Sequence, residues 1–414
     1  MANPKNVAPK RRKVLRVIPG EREGSKPMKA ISLFSGMGGD TLGLKMAGVD
    51  VIAYNEFDKT AVSSHEANFP GCVLLKTSGE PSRCDIMKIE DDVFTPYRGV
   101  VDLVFAGFPC QGFSHGGKKL PEDPRNTLFR EFVRVTACVR PRFIIGENVD
   151  GLLSRKTADG RNFIDVIVEA FSEIGYSLKW KVCHAAKHGV PQLRKRLIIV
   201  GIRDEEDGSK LIDKFVFPPE DAMPPGLRDI VKYDLTGCAR VTNEQFDFDA
   251  IDDPSCVMRD MNDFTEPEGG RDVHPYVRMK LDTDVATLFG YGEGSVEADT
   301  QQKKGKKEKK RFTSLLSFGK RESPYHLEVV DVRNPSKTII CTYDHQPRLL
   351  VPVENATGRY VRTLLPDELK QVQGFPADFV VCGNTKQKIK QIGNAVPPPL
   401  IAAVTRQIMA VAAM

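Results

Sequence analysis

No apolar run in this 414-residue chain approaches the roughly 18 uninterrupted positions of a membrane span, and the N-terminus lacks the apolar core of a signal peptide. The expectation is an intracellular protein with no membrane partner. C-x-x-C pairs are missing too. The nine cysteines are odd in number and scattered, which argues against a disulfide framework and against a zinc site. Cys183-His184 is the one adjacent Cys/His pair, and with no second pair beside it no metal is expected. Strong charge of either sign is also absent. A net charge of +5 permits an anionic partner without demanding one.

What is present is enough apolar residue, 41%, for a full core and two domains. Residues 1–28 are rich in Pro, Gly, Lys and Arg without apolar periodicity and read as a disordered basic arm. Within it Lys10, Arg11, Arg12 and Lys13 form a compact cluster suited to a nuclear import signal or to a nucleic-acid contact, so cytoplasm and nucleus both stay open. From Lys29 the chain changes character. A strand is expected at 30–34, a tight turn through Ser35-Gly36-Met37-Gly38-Gly39, a helix at 41–47 and a second strand at 51–54 with Glu56 just past its end. This is the spacing of a nucleoside-binding α/β unit, in which glycines admit the ligand and the acid accepts from ribose hydroxyls. The third glycine of G-x-G-x-x-G is missing, which favours a nucleoside smaller than NAD or FAD. Phe57 is a candidate to stack on an adenine ring or to join the core, and Asp85-Ile86 offers an acid and an apolar contact at the expected end of a third strand.

The stretch around Cys110 organises the rest. It follows an apolar run, 101–105, that reads as a buried parallel strand, which puts Pro109 and Cys110 at the carboxyl end, where open α/β sheets place their chemistry. A cysteine after a strand is most often simply buried. Here a helix is expected at 126–139, a strand at 143–146 with Glu147 at its end, a helix at 162–174, and strands at 177–182 and 196–202, the last preceded by Gln192, Arg194 and Arg196. One sheet edge would thus collect a thiol, a carboxyl, an arginine pair and a nucleoside site. Residues 112–120, with His115, Gly116, Gly117, Lys118 and Lys119, read as a flexible basic loop able to close over a ligand.

In order along the chain stand Phe34-Ser35-Gly36-Met37-Gly38-Gly39, Glu56, Asp85-Ile86, Pro109-Cys110-Gln111, Glu147-Asn148-Val149, Gln192-x-Arg194-x-Arg196, the block 362–376 and Gly393-Asn394-Ala395-Val396-Pro397. This series resembles the DNA (cytosine-5-)-methyltransferase family. The resemblance implies an α/β fold with a Rossmann-like, mostly parallel sheet and an inserted smaller, largely β target-recognition domain. Its division would be a catalytic, cofactor-binding domain at 29–202, a reading domain at 203–361 and a segment at 362–414 that returns to the first. The implied cofactor is S-adenosylmethionine, leaving as S-adenosylhomocysteine, held by Phe34, Gly36, Gly38, Glu56, Phe57, Asp85, Ile86, Leu128 and Asn394. The implied substrate is double-stranded DNA with one cytosine flipped out. Cys110 would add to C6, Glu147 would hydrogen-bond N3, Arg196 would contact O2 and orient Glu147, and Arg194 would support them or touch a phosphate, with Pro109 and Gln111 framing the nucleophile. Ser114, Lys118, Lys119, Gln192 and the run containing Lys303 and Lys304 would meet the DNA. A tRNA-methylating relative would carry a smaller insertion than 203–361, and a silent relative would have lost the nucleophile. A monomer is expected, because one flipped base needs one active site.

Overall fold

The computed structural model describes residues 27–77, 84–109, 128–157, 159–205, 210–267, 272–284, 288 and 314–414. The candidates Cys110, Gln111, Ser114, Lys118, Lys119, Lys303 and Lys304 and the basic cluster at 10–13 lie outside the described residues.

The first unit is a seven-stranded sheet built from β1 (Lys29–Leu33), β2 (Asp50–Asn55), β3 (Val73–Leu74), β4 (Leu103–Ala106), β5 (Phe143–Asn148), β6 (Tyr176–His184) and β8 (Lys195–Arg203), in the order β3-β2-β1-β4-β5-β8-β6. The pairings from β3 through β5 are parallel, and β8 runs antiparallel between β5 and β6. Side chains alternate across the pleat, so each strand feeds two cores. Ile31, Leu33, Val104, Ile144 and Ile199 face α3 (Phe129–Val139) and α4 (Phe163–Ser172), whereas Ala30, Phe105, Ile145, Ile198 and Val200 face α1 (Gly39–Met46) and the last helix, α8 (Pro398–Ala412). A sheet covered on both sides explains why these strands read as continuous apolar runs.

The second unit is a sheet in which β11 (Ser317–Phe318), β12 (Glu328–Val329), β14 (Leu349–Asn355), β15 (Gly358–Thr363) and β9 (Ala239–Arg240) lie side by side, with β10 (Met258–Asp260) also on β14. Its core draws in Val277 and Leu281 of α5 (Pro275–Leu281), Leu369 and Val372 of α6 (Pro366–Val372) and Ile389 and Ile392 of α7 (Thr385–Asn394). Strand β15 therefore runs across the expected boundary at 361/362, and of the C-terminal segment it is α8 that lies on the first sheet. By length and hydropathy alone Thr385–Ala412 would pass as a membrane-crossing helix, but 61% of its apolar window is buried within the protein. The two units are stitched by a short parallel pair, β7 (Gln192–Leu193) with β13 (Ser336–Lys337).

Two local expectations change. The third strand ends at Leu74, and Asp85 instead caps a short 3-10 turn, Ile86–Lys88, by accepting from the Met87 N–H. The amide of Asn55, the last residue of β2, reaches that segment by donating to the Cys84 carbonyl at 2.9 Å. Glu147 lies within β5, paired with Ile198, rather than beyond the strand's end.

Candidate active site

The site forms along the carboxyl ends of β1, β2, β4 and β5. The turn after β1 is folded by its own backbone: Ser35 N–H donates to the Asn55 carbonyl at 3.0 Å, and Gly38 N–H to the Ser35 carbonyl at 2.9 Å. Phe34, Gly36 and Gly38 all have positive φ. The two glycines serve different needs. A Cβ on Gly36 would meet nothing within 4 Å, so its face is open to a ligand, whereas one on Gly38 would strike Phe69 at 2.5 Å and His65 at 2.9 Å. Gly38 is thus required by packing beneath the turn.

Glu56 braces this turn from the side. Its Oε2 accepts from Gly36 N–H at 2.8 Å, and its Oε1 from Phe57 N–H at 2.9 Å and Asp58 N–H at 2.8 Å. Burial raises the carboxyl's pKa and these backbone bonds pull it back. A carboxylate has about four acceptor positions, so about one is left for a hydroxyl. Phe57 beside it is 75% exposed, which removes the core alternative and leaves a ring face available for stacking. Asn394, the last residue of α7, is exposed; Leu128, just before α3, is half-buried against the core. Ile86 is different. At 2% exposure it belongs to the core and cannot line an open pocket. An open turn, an acid with an acceptor position left and an exposed aromatic fit a nucleoside-bearing cofactor.

At the neighbouring strand ends, Arg196 of β8 sits diagonally from Glu147 on the same side of the sheet, and its Nε donates to Glu147 Oε1 at 2.7 Å. Both side chains are nearly buried, and Arg196 Nη1 also donates to the Lys195 carbonyl, which sets the guanidinium plane. Glu147 Oε2 lies 3.8 Å from where a Cβ on Gly107 would stand, so the carboxyl overlooks the backbone leaving β4 for Pro109. Asn148, given no role in the sequence reading, donates to the Phe108 carbonyl at 3.0 Å and anchors that same exit. The signal available was its place inside the Glu147-Asn148-Val149 block.

Two expected contacts are corrected. Arg194 is 2% exposed, with its guanidinium donating to the carbonyls of Ile339, Gly393 and Ala395. It staples the second unit and the Gly-Asn-Ala-Val-Pro segment to the first sheet and cannot reach a phosphate. Gln192 is fully buried; its amide donates to Gln373 and accepts from Ile339 N–H, so it does not face DNA.

Residues 28–410 match the family model described as C-5 cytosine-specific DNA methylase. Among curated relatives, the type II methyltransferase M.Eco47II of Escherichia coli is 32% identical over 387 residues, covering 92% of this chain and 78% of its own length. The type II methyltransferase M.PspPI of a Psychrobacter strain is 30% identical over 393 residues, covering 94% of this chain and 80% of its own. Among solved structures, a DNA modification methyltransferase encoded in an E. coli prophage superposes with a TM-score of 0.57 at 20% identity, covering 94% of this chain and all of its own. DNMT2 of Spodoptera frugiperda gives 0.54 at 16%, covering 92% of this chain and 99% of its own. At such identities the structures speak for the fold.

Proposed function

The chain belongs to the C-5 cytosine-specific DNA methylase family and is a DNA (cytosine-5-)-methyltransferase, and from that premise we propose that it methylates C5 of a flipped-out cytosine within a short specific sequence of duplex DNA, by covalent addition of Cys110 to C6. The observation that carries the reading is the Arg196–Glu147 pair beside the β4 exit, on the same sheet edge as the open Gly36 turn and Glu56.

C5 of cytosine is a poor nucleophile until the ring is activated. The Cys110 thiolate adds its electron pair to C6, and the displaced ring electrons make C5 electron-rich. Glu147 hydrogen-bonds N3 and stabilises the charge that builds there on addition, while Arg196 holds the carboxyl in place and meets O2. When bound, S-adenosylmethionine supplies an electrophilic methyl on a sulfonium, and its transfer to C5 leaves neutral S-adenosylhomocysteine with the former S–C electron pair. A base then removes the C5 proton, and the C6–S electrons return to Cys110 as the double bond re-forms. None of these atoms is reachable within a stacked duplex, so the base has to be extruded. Phe34, Gly36, Glu56, Phe57, Asp85, Leu128 and Asn394 would hold the cofactor, and the second unit would select the sequence.

Supplying the full chain with methyl-labelled S-adenosylmethionine and, in parallel, duplex DNA or tRNA tests the reading. Label is expected in DNA as 5-methylcytosine at one short sequence. Label confined to tRNA, or scattered without sequence preference, would overturn it.

Glu56→Ala is expected to weaken S-adenosylhomocysteine binding by about 1–3 kcal/mol, the range for buried polar groups left without partners. Gly36, Phe57 and Asp58 would lose their acceptor together with the ligand. Titration calorimetry at constant pH measures this, and an unchanged affinity would remove Glu56 from the pocket.

A further inference from the structure

Beneath the cofactor turn, on the face of the sheet covered by α1 and α8, lies a chain of buried polar side chains that the methyl-transfer chemistry does not use. Asp40, in the first turn of α1, is 1% exposed. Its carboxylate accepts from the hydroxyl of Ser32 on β1 and, at 3.1 Å, from that of Ser35. Ser35 Oγ also lies 3.2 Å from Thr41 Oγ1, which lies 3.1 Å from His65 Nε2 on α2 (Lys59–Asn68). Ser35 is a pivot. Its N–H holds β2, its carbonyl closes the turn with Gly38, its hydroxyl goes to Asp40, and the next residue, Gly36, donates to Glu56.

Among the described residues no cation forms an ion pair with Asp40. The titratable groups around it are His65 from α2, held neutral by burial and by Lys45 with its pKa pushed down to about 3; Cys72 from the loop before β3, whose thiol is pushed up to about 12; and Lys45 itself, further along α1. Burial is the largest influence on Asp40 and raises it to about 6, against the lowering effect of the Ser32 and Ser35 hydroxyls and nearby backbone N–H groups. A native pKa above the unfolded one means that Asp40 contributes its stability below pH ~4 and loses it as pH rises through ~6. Ionised at neutral pH, it weakens the fold. An apolar side chain would serve packing better at this position, so the acid has to be accounted for by something other than stability.

We propose that Asp40 is a positioning residue for S-adenosylmethionine: its buried carboxylate, gripping the hydroxyls of Ser32 and Ser35, holds the Ser35-Gly36-Met37-Gly38 turn from below in the shape that receives the cofactor, as Glu56 holds it from the side. This rests on the reading that the turn is the cofactor site. A protonated Asp40 is a weaker acceptor for the two hydroxyls, so cofactor affinity falls as pH drops through the range where the carboxyl takes up its proton.

The test compares wild type with Asp40→Asn in the full chain, measuring S-adenosylhomocysteine affinity by calorimetry between pH 5 and 8 and thermal unfolding at pH 8. The variant is expected to bind about tenfold more weakly at pH 8, equivalent to one charged hydrogen bond. It should unfold at the same or a higher temperature, raise KM for the cofactor with kcat unchanged, and show a flatter pH profile. The Glu56 contribution to that profile is common to both proteins. Equal affinity in the two, or affinity and stability falling together as for a purely structural residue, would overturn the proposal. Should Asp40→Asn fail to fold, Ser35→Ala, which removes only the hydroxyl between acid and turn, is measured instead, with the same weakening expected. A wild type that binds no S-adenosylhomocysteine would overturn the cofactor reading itself, and the role of Asp40 with it.

Discussion

Cys110→Ser is expected to abolish methyl transfer to DNA while S-adenosylhomocysteine binding stays within a few-fold of wild type. A free thiol has a pKa of about 8.5, so a useful fraction is thiolate near neutral pH, and neighbouring positive charge increases it. A serine hydroxyl has no comparable population of anion and is a poor nucleophile without a dedicated base. The groups that would hold the cofactor, Gly36, Glu56 and Phe57, belong to β1, β2 and their turns and do not depend on the side chain at 110. A duplex carrying 5-fluorocytosine at the target position sharpens the test. Addition at C6 and methylation at C5 proceed, but C5 then bears fluorine in place of the proton that must leave, so the C6–S bond persists. Wild type should give a denaturant-stable adduct and Cys110→Ser none. Substantial turnover by the variant, or no adduct on a duplex that wild type methylates when it bears cytosine, contradicts the covalent route.

The first sheet was legible in the sequence because strands buried on both faces are continuous apolar runs. The stretches 30–34, 51–54 and 143–146 each fall within a residue or two of β1, β2 and β5, and 177–182 does so for the edge strand β6, whose lysines alternate with apolar residues. The second unit was legible as a smaller, largely β insertion but not strand by strand. Several of its strands are two residues long, as at Ser317–Phe318 and Glu328–Val329, too short to carry a period. A motif residue's contact was legible where its partner stands on a neighbouring strand, as Glu147 does for Arg196, and not where the partners come from a distant part of the chain. Arg194 and Gln192 share the spacing of Arg196, yet their partners at 339, 373, 393 and 395 lie more than 140 residues away. Nothing in a charged or amide side chain reveals that carbonyls will close over it. The same limit hid Asp40, which reads as an ordinary acid at a helix start until burial and two serines surround it.

Arg362→Met is expected to lower the unfolding free energy by about 3–5 kcal/mol, the range for removing one partner of a buried ion pair. Arg362 is 0% exposed, and its two terminal nitrogens meet the two oxygens of Glu368 at 2.8 Å each. The pair also organises the backbone around it. Arg362 donates to the carbonyls of Lys232, Asp234 and Thr363, while Glu368 accepts from the N–H groups of Lys232 and Leu365. It therefore ties β15, the start of α6 and the segment at 232–234 together where the second unit joins the chain that returns to the first. With methionine at 362, Glu368 stays buried without a counter-charge and three carbonyls lose their donor. Glu368→Gln keeps the shape and one acceptor, so its loss should be smaller, and the double variant Arg362→Met/Glu368→Gln should recover part of the stability because no lone charge remains. Denaturant unfolding of the four proteins at one pH yields the coupling energy directly. A strong favourable coupling with Arg362→Met as the least stable protein is the expected result; additive losses in the double variant would mean that the pair acts through its backbone contacts alone.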